Sequence, residues 1–549
     1  MKINISTLSL ICLLICSGCT KKENGETINR SDVAHAEKII GLNFSDSEKD
    51  SLLEDLKENL ANYKTIREQK IDNAVPPALQ FNPQPGNFRP PLGKSRFILG
   101  PANQPELPEN LQDLAFYSLR DLGYLIRTGK VSSLQLTRLF LERLKKYDPE
   151  LHCVITLTEE SALREARQAD EDLANGKYHG PLHGIPYGAK DLLATKGYKT
   201  TWGAAPYKDQ VIDQDATVIT RLREAGAVLV AKLTLGALAW GDVWYGGTTR
   251  NPWNPEQGSS GSSAGPASAT AAGLVPFAIG SETWGSIVSP STRCGTTGLR
   301  PTYGRVSRAG AMALSWSMDK LGPICRSVED CAIVFKTIYG PDGIDQTVVD
   351  YPFQYDANMD LKTLKIGYLK SAFNKEYDMK DSDAQTLKQL QELGFELIAV
   401  ELPDLPVSSM AFILNAEAAA AFDDLTLSGR DDQMIRQVRN AWPNVFRASR
   451  FIPAVAYIQA NRLRYQLIQE MKKVLENIDI YVAPSFDDNL LLTNLSGHPC
   501  VVVPNGFNEK NSPVSISFTG RLYEEGKLLA FVDAYQRSTA FHKKHPPGF

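Results

Sequence analysis

Residues 258–304 read GSSGSSAGPASATAAGLVPFAIGSETWGSIVSPSTRCGTTGLRPTYG. A run this rich in Gly and Ser is compatible with a flexible linker. Three features oppose that reading. The small-residue run Ala267–Gly273 passes directly into apolar Leu274–Ile279, a second Gly/Ser cluster follows, and no charged residue occurs from Gly258 to Ser281. A buried segment of this kind places backbone N–H groups and hydroxyls where they must find partners. Donors held in that way form an anion-stabilising pocket. Gly261–Gly265 also fits G-x-S-x-G, which would make Ser263 the nucleophile of an α/β-hydrolase-type esterase. That motif needs a strand directly before it, and Asn251–Gly258, with its two prolines, predicts none.

Working outward, the chain alternates helices with β-branched runs. TVITRLREAGAVLVAK (217–232) and AQTLKQLQELGFELIAV (384–400) each read as a helix, a Gly turn and an apolar strand. Ile478–Ala483 and Cys500–Val503 read as short buried strands, and Leu134–Tyr147 and Ala162–Asn175 as helices. The fold class is therefore α/β with layered helices and sheet.

The long segment carries several ordered motifs. Gly261–Pro266, the Ala-rich Ala267–Gly273, Gly280–Ser286 and Cys294–Gly304 follow one another. GPLHGIPYGAKD (Gly180–Asp191) lies upstream and LLLTNLSGHPCVVVPNGF (Leu490–Phe507) downstream. In this order they resemble the amidase signature family of serine hydrolases, over about Leu114 to His542. The resemblance implies a three-layer α/β/α fold with a mixed central sheet. It implies a triad of Lys190 as base, Ser262 as a bridging serine after a cis peptide, and Ser286 as nucleophile. The backbone N–H groups of Thr283, Trp284, Gly285 and Ser286 are the implied oxyanion hole, each donor contributing about 3 kcal/mol. Trp240, Trp244, Tyr245 and Trp316 are the candidates for an apolar substrate pocket. No metal or organic cofactor is implied. The tRNA-dependent amidotransferase A subunit shares the signature, and a non-catalytic binding lipoprotein is a further alternative.

The chemistry also follows from the residues themselves. A serine hydroxyl needs an adjacent base to become a nucleophile. A lysine can be that base only when neutral, and burial among residues such as Ile185, Pro186, Ala189, Leu192 and Leu193 favours the neutral form. Asp191 could instead pair with Lys190 or another cation on an exposed turn. The motifs depart from the family pattern at Ala264, Pro266, Glu282, Trp284 and Val288, and the Trp284 indole could narrow the pocket. His183 and His498 read as structural histidines.

The chain has 549 residues, 43% hydrophobic and 22% charged, with 59 Lys+Arg against 63 Asp+Glu for a net charge of −4. That is an ordinary globular composition. It lacks the basic surplus of a nucleic-acid binder. The expected partner is a small-molecule or peptide amide. Eight cysteines show no zinc or disulfide spacing. The leader places an apolar run, residues 3–16, before Ser17-Gly18-Cys19. This pattern resembles a bacterial lipoprotein signal, with residues 1–18 removed and Cys19 lipidated as a membrane anchor. Residues 19–110 read as a tether, a helical segment from Ser31 to about Gln69, and an extended proline-rich arm without regular elements. Residues 111–549 read as the amidase domain.

Overall fold

A computed structural model describes residues 28–69 and 71–549. The leader and Cys19 lie outside the described residues. The chain divides into two compact units, Met1–Lys70 and Ile71–Phe549. The proline-rich arm thus belongs to the second unit, and the boundary falls at 70/71 instead of 110.

In the first unit the helical segment is two helices. Arg30–Ile40 starts on an Asn29 capping box and ends at Gly41, whose φ of 71° suits glycine. Asp46–Arg67 starts on a second box, Ser45 with Glu48. Within the pair, Lys49 and Glu37 meet at 3.2 Å.

The second unit is built on eleven strands. In chain order they are β1 (Val154–Leu157), β2 (Pro186–Lys190), β3 (Val228–Leu233), β4 (Ala278–Glu282), β5 (Thr297–Arg300), β6 (Lys320–Cys325), β7 (Ile366–Leu369), β8 (Leu397–Val400), β9 (Ile480–Pro484), β10 (Cys500–Phe507) and β11 (Pro513–Gly520). They lie in the order β8-β7-β9-β11-β10-β5-β6-β4-β2-β3-β1. The sheet is mixed: β2 runs parallel to β3 and β4, while β6 lies antiparallel between β4 and β5. Its strands read as continuous apolar runs because both faces are covered. Val228 and Val230 pack with the helices Ser133–Leu151, Glu159–Ala174 and Ala264–Ala271 on one face. Leu229, Tyr187 and Ile279 pack with Thr217–Glu224 and Val328–Ile338 on the other. This is the three-layer α/β/α arrangement.

The registers place the C-terminal ends of β2, β4, β5 and β11 at the same sheet end as the starts of β6 and β10. Lys190, Glu282, Arg300 and the loop after Glu282 therefore converge there. Helix Ala264–Ala271, buried along its whole length, descends from that end. Its small residues permit the approach: a Cβ on Gly265 would lie 2.5 Å from the Cys153 carbonyl and the Thr234 nitrogen.

Two local expectations are corrected. Asn254–Gly258 is a strand, paired with Arg250–Asn251 in a two-stranded ribbon outside the central sheet. Pro255 is tolerated because such a ribbon has no interior strand needing its N–H. The arm also ends in an element: Arg96–Ile98 pairs in parallel with Gln354–Asp356.

Candidate functional site

Lys190 is the last residue of β2, and its side chain is fully buried. Its Nζ lies 2.8 Å from Ser262 Oγ, 2.8 Å from Ser281 Oγ and 3.1 Å from Ser263 Oγ. Ser262 and Ser263 precede the buried helix, after a cis Gly261–Ser262 bond. Ser281 sits on β4, the strand next to β2. Burial pushes the Lys190 amine well below the usual lysine range, and the nearby Asp319 and Glu282 carboxylates only partly counter it.

Hydrogen-bond accounting then orients the protons. Ser263 Oγ donates to the Ser281 carbonyl at 3.0 Å and accepts from Ser281 N at 3.1 Å, so towards Lys190 it accepts. A neutral amine has two N–H donors and one lone pair. Ser263 therefore takes one N–H, and the lone pair is left for one of the two hydroxyls at 2.8 Å, Ser262 or Ser281. The Ser262 hydroxyl can then donate to Lys190 and use its own lone pairs to accept a proton from a further hydroxyl.

Ser286 supplies a hydroxyl beside this cluster. Its carbonyl accepts from Ser263 N at 3.1 Å, which fixes it against the Ser262–Ser263 pair. Ser286 is 9% exposed, and its hydroxyl has no hydrogen-bond partner among the described residues. The loop from Thr283 to Ser286 is closed by Glu282. The Glu282 carboxylate accepts from Ile287 N at 2.8 Å and Val288 N at 3.0 Å, beyond the loop. Its other oxygen accepts from Arg300 and Asn494, both at 2.8 Å. These donors hold its pKa at about 2 against the cost of burial. The far side of the loop is tied by Thr283 Oγ1 donating to Asp319 at 2.6 Å. Gly285 turns at φ 81°, where a Cβ would also meet Leu490 at 3.0 Å. Among the described residues, none of the N–H groups of Thr283, Trp284, Gly285 and Ser286 donates to a protein acceptor. The loop therefore offers free donors next to a free hydroxyl. Trp284 is 45% exposed, so it is not packed into the core.

The remaining candidates separate. Asp191 is buried: it pairs with Lys232 at 2.7 Å and accepts from Thr201 N and Oγ1. The exposed-turn reading of Asp191 is thereby corrected, and the residue braces the strand end that carries Lys190. Ser263 is fully buried with its hydroxyl committed to bracing, which leaves it no path to a substrate. His183 bonds the Ala169 carbonyl and His498 bonds Ser496. Trp244 packs edge-on against Tyr245, and Trp240 against Trp442. Trp316 instead lines a separate cleft of about 1280 Å³ with Phe81, Tyr303 and Tyr457. The four aromatic residues thus do not form one pocket. No group of three or more His, Cys, Asp or Glu positioned for a metal occurs among the described residues.

Sequence reading missed Ser281, the Glu282–Arg300–Asn494 clamp, Asp319, and Asp242, which accepts from Ser260 N at 2.9 Å just before the cis bond. The one available signal was the concentration of polar residues inside otherwise uncharged motifs.

Comparison with known proteins fits this geometry. The family model "Amidase" matches residues 135–490. The chain is 34% identical over 484 residues to the A subunit of glutamyl-tRNA(Gln) amidotransferase from Acinetobacter baumannii, covering 79% of this chain and 98% of that one. It superposes on the native peptide amidase of Stenotrophomonas maltophilia with a TM-score of 0.71 at 30% identity, over 80% of this chain and 99% of that one. An amidase family protein of Bacillus anthracis gives a TM-score of 0.71 at 26% identity, over 80% and 94%. The chain belongs to the amidase family of amide C–N hydrolases.

Proposed function

We propose that this chain hydrolyses a carboxamide, of a small molecule or a peptide, through an acyl-enzyme on Ser286. The observation that supports it most is the buried Lys190 amine within 2.8 Å of Ser262 Oγ. In the first step Ser286 Oγ attacks the carbonyl carbon. Its proton passes to Ser262, whose own proton passes to Lys190. The carbonyl oxygen gains charge in front of the N–H groups of residues 283–286. Lys190 then returns a proton through Ser262 to the leaving nitrogen, and the C–N bond breaks. Water repeats the sequence on the ester, releasing the acid.

The test is a fluorophosphonate label on the full chain, located by peptide mass spectrometry. The expected adduct is on Ser286, absent in Lys190→Ala and slowed but present in Ser263→Ala. An adduct on Ser263 would overturn the reading in favour of the esterase alternative. A second reading, an amidotransferase A subunit, is favoured by the name of the 34%-identical relative. The two differ in what the isolated chain does: an autonomous amidase turns over a simple amide without partner subunits or tRNA.

The leader supports an envelope location, with Cys19 lipidated after removal of residues 1–18. A clickable palmitate fed to expressing cells is expected to label the wild type. Labelling of Cys19→Ala at the same level would exclude the anchor.

A further inference from the structure

We propose that Asn73, on the proline-rich arm, is a positioning residue for the oxyanion loop. The proposal rests on the reading of residues 283–286 given above. Asn73 precedes the family-matched residues 135–490, so the inference concerns what this chain adds to the shared fold.

The path is continuous hydrogen bonding. The Asn73 side chain pairs with Ala313 as a strand backbone would: Ala313 N donates to Oδ1 at 2.9 Å, and Nδ2 donates to the Ala313 carbonyl at 3.0 Å. The same Nδ2 donates to the Ala421 carbonyl at 3.1 Å, so one carboxamide joins two segments. The residues after Ala313 form a turn wrapped on one carboxylate, with Leu314 N and Ser315 N donating to Asp319 Oδ2 at 2.8 and 2.9 Å. The other oxygen of Asp319 is the acceptor for Thr283 Oγ1 at 2.6 Å. Thr283 opens the loop whose N–H groups face the reacting carbonyl. Behind the turn, Ser315 and Ser317 donate to Glu417. One end of the turn is therefore held by Asn73, its back by Glu417, and its product is the placement of Asp319.

A side-chain amide suits this role. It satisfies a part-buried donor and acceptor at once, where Asp would set a carboxylate against two carbonyl oxygens and Ala would leave all three groups open. Oxyanion donors must sit within a few tenths of an ångström of the developing charge, so slack of this kind appears in rate before it appears in stability.

The experiment measures the fluorophosphonate labelling rate of Ser286, the kcat and KM for an amide substrate, and the thermal midpoint, all on the full chain. The variants are Asn73→Ala, Asn73→Ser and Phe88→Ala. Phe88 lies on the same arm and packs against Tyr523 and Tyr351, away from the 313–319 turn. Asn73→Ala is expected to lower labelling rate and kcat about tenfold, with KM and the pH midpoint of labelling unchanged. Asn73→Ser, which keeps one donor, should fall between, and it carries the test if Asn73→Ala does not fold. Phe88→Ala should lower the thermal midpoint while its labelling rate stays at the wild-type value. The proposal is overturned if both Asn73 variants label at the wild-type rate and only their thermal midpoints drop. A wild-type protein not labelled at Ser286 overturns the underlying reading as well, which separates the two failures.

Discussion

Lys190→Met is expected to slow amide hydrolysis severely, with kcat falling by about 10³, the middle of the range for loss of a general base. The substitution keeps the volume, so the protein should remain folded. The wild-type profile carries the diagnostic. The amine must be neutral to act, and burial has lowered its pKa well below 10.5. Activity should therefore persist below the pH at which an ordinary lysine is neutral, and fall as pH drops through that lowered value. In Lys190→Met the residual rate should lose this acid limb. Stability has the same sign. The unfolded lysine, at its ordinary pKa, binds its proton more tightly than the folded one, so acid favours unfolding of the wild type. The thermal midpoint of the wild type should drop relative to Lys190→Met as pH falls. An acid limb that survives in the variant would assign the limb to another group.

Glu282→Ala is expected to damage both rate and stability. It removes the acceptor of Ile287 N and Val288 N, which closes the loop carrying the four free donors. Loss of a single oxyanion donor costs about 10²–10³ in kcat, and loosening the loop should fall in that range. It also strands Arg300, fully buried and paired with Glu282 at 2.8 Å. Removing one partner of a buried pair costs about 3–5 kcal/mol. Denaturant melts and kcat below the melting range measure the two effects separately. A stability loss with wild-type kcat would show that Glu282 supports the core and not the loop.

Much of the site was legible because it lies in short, ordered motifs. The absence of charge from Gly258 to Ser281 indicated burial, and helix Ala264–Ala271 is buried throughout. Lys190, Ser262 and Ser286 could be placed by motif order. What the motifs could not convey was which polar neighbour faces which. Ser281 bonds Lys190 from 91 residues away, and Asp319 reaches Thr283 from 36. Such pairs depend on strand order, and no periodicity in the sequence encodes it. Glu282 stands in the sequence only as a departure from the family pattern, and the position of Arg300 on β5 explains its role. The arm reads from its prolines as an extended wrapping chain. They exclude regular structure locally, and they say nothing of the short strand that follows at Arg96.

The arm also has a consequence for how the chain is made. Asn73, Gln84 and Gly86 bond partners 240, 267 and 383 residues further along. They emerge early in synthesis, yet these three partners are all present only once Gln469 has been added. At about 5–20 residues per second the arm waits roughly 20–80 s in an unpaired state. Its many prolines suit that interval, since they resist pairing with other strands. Docking of the arm is then a late event that follows synthesis of most of the chain, and a chain truncated before Gln469 would keep this segment loose and open to proteases.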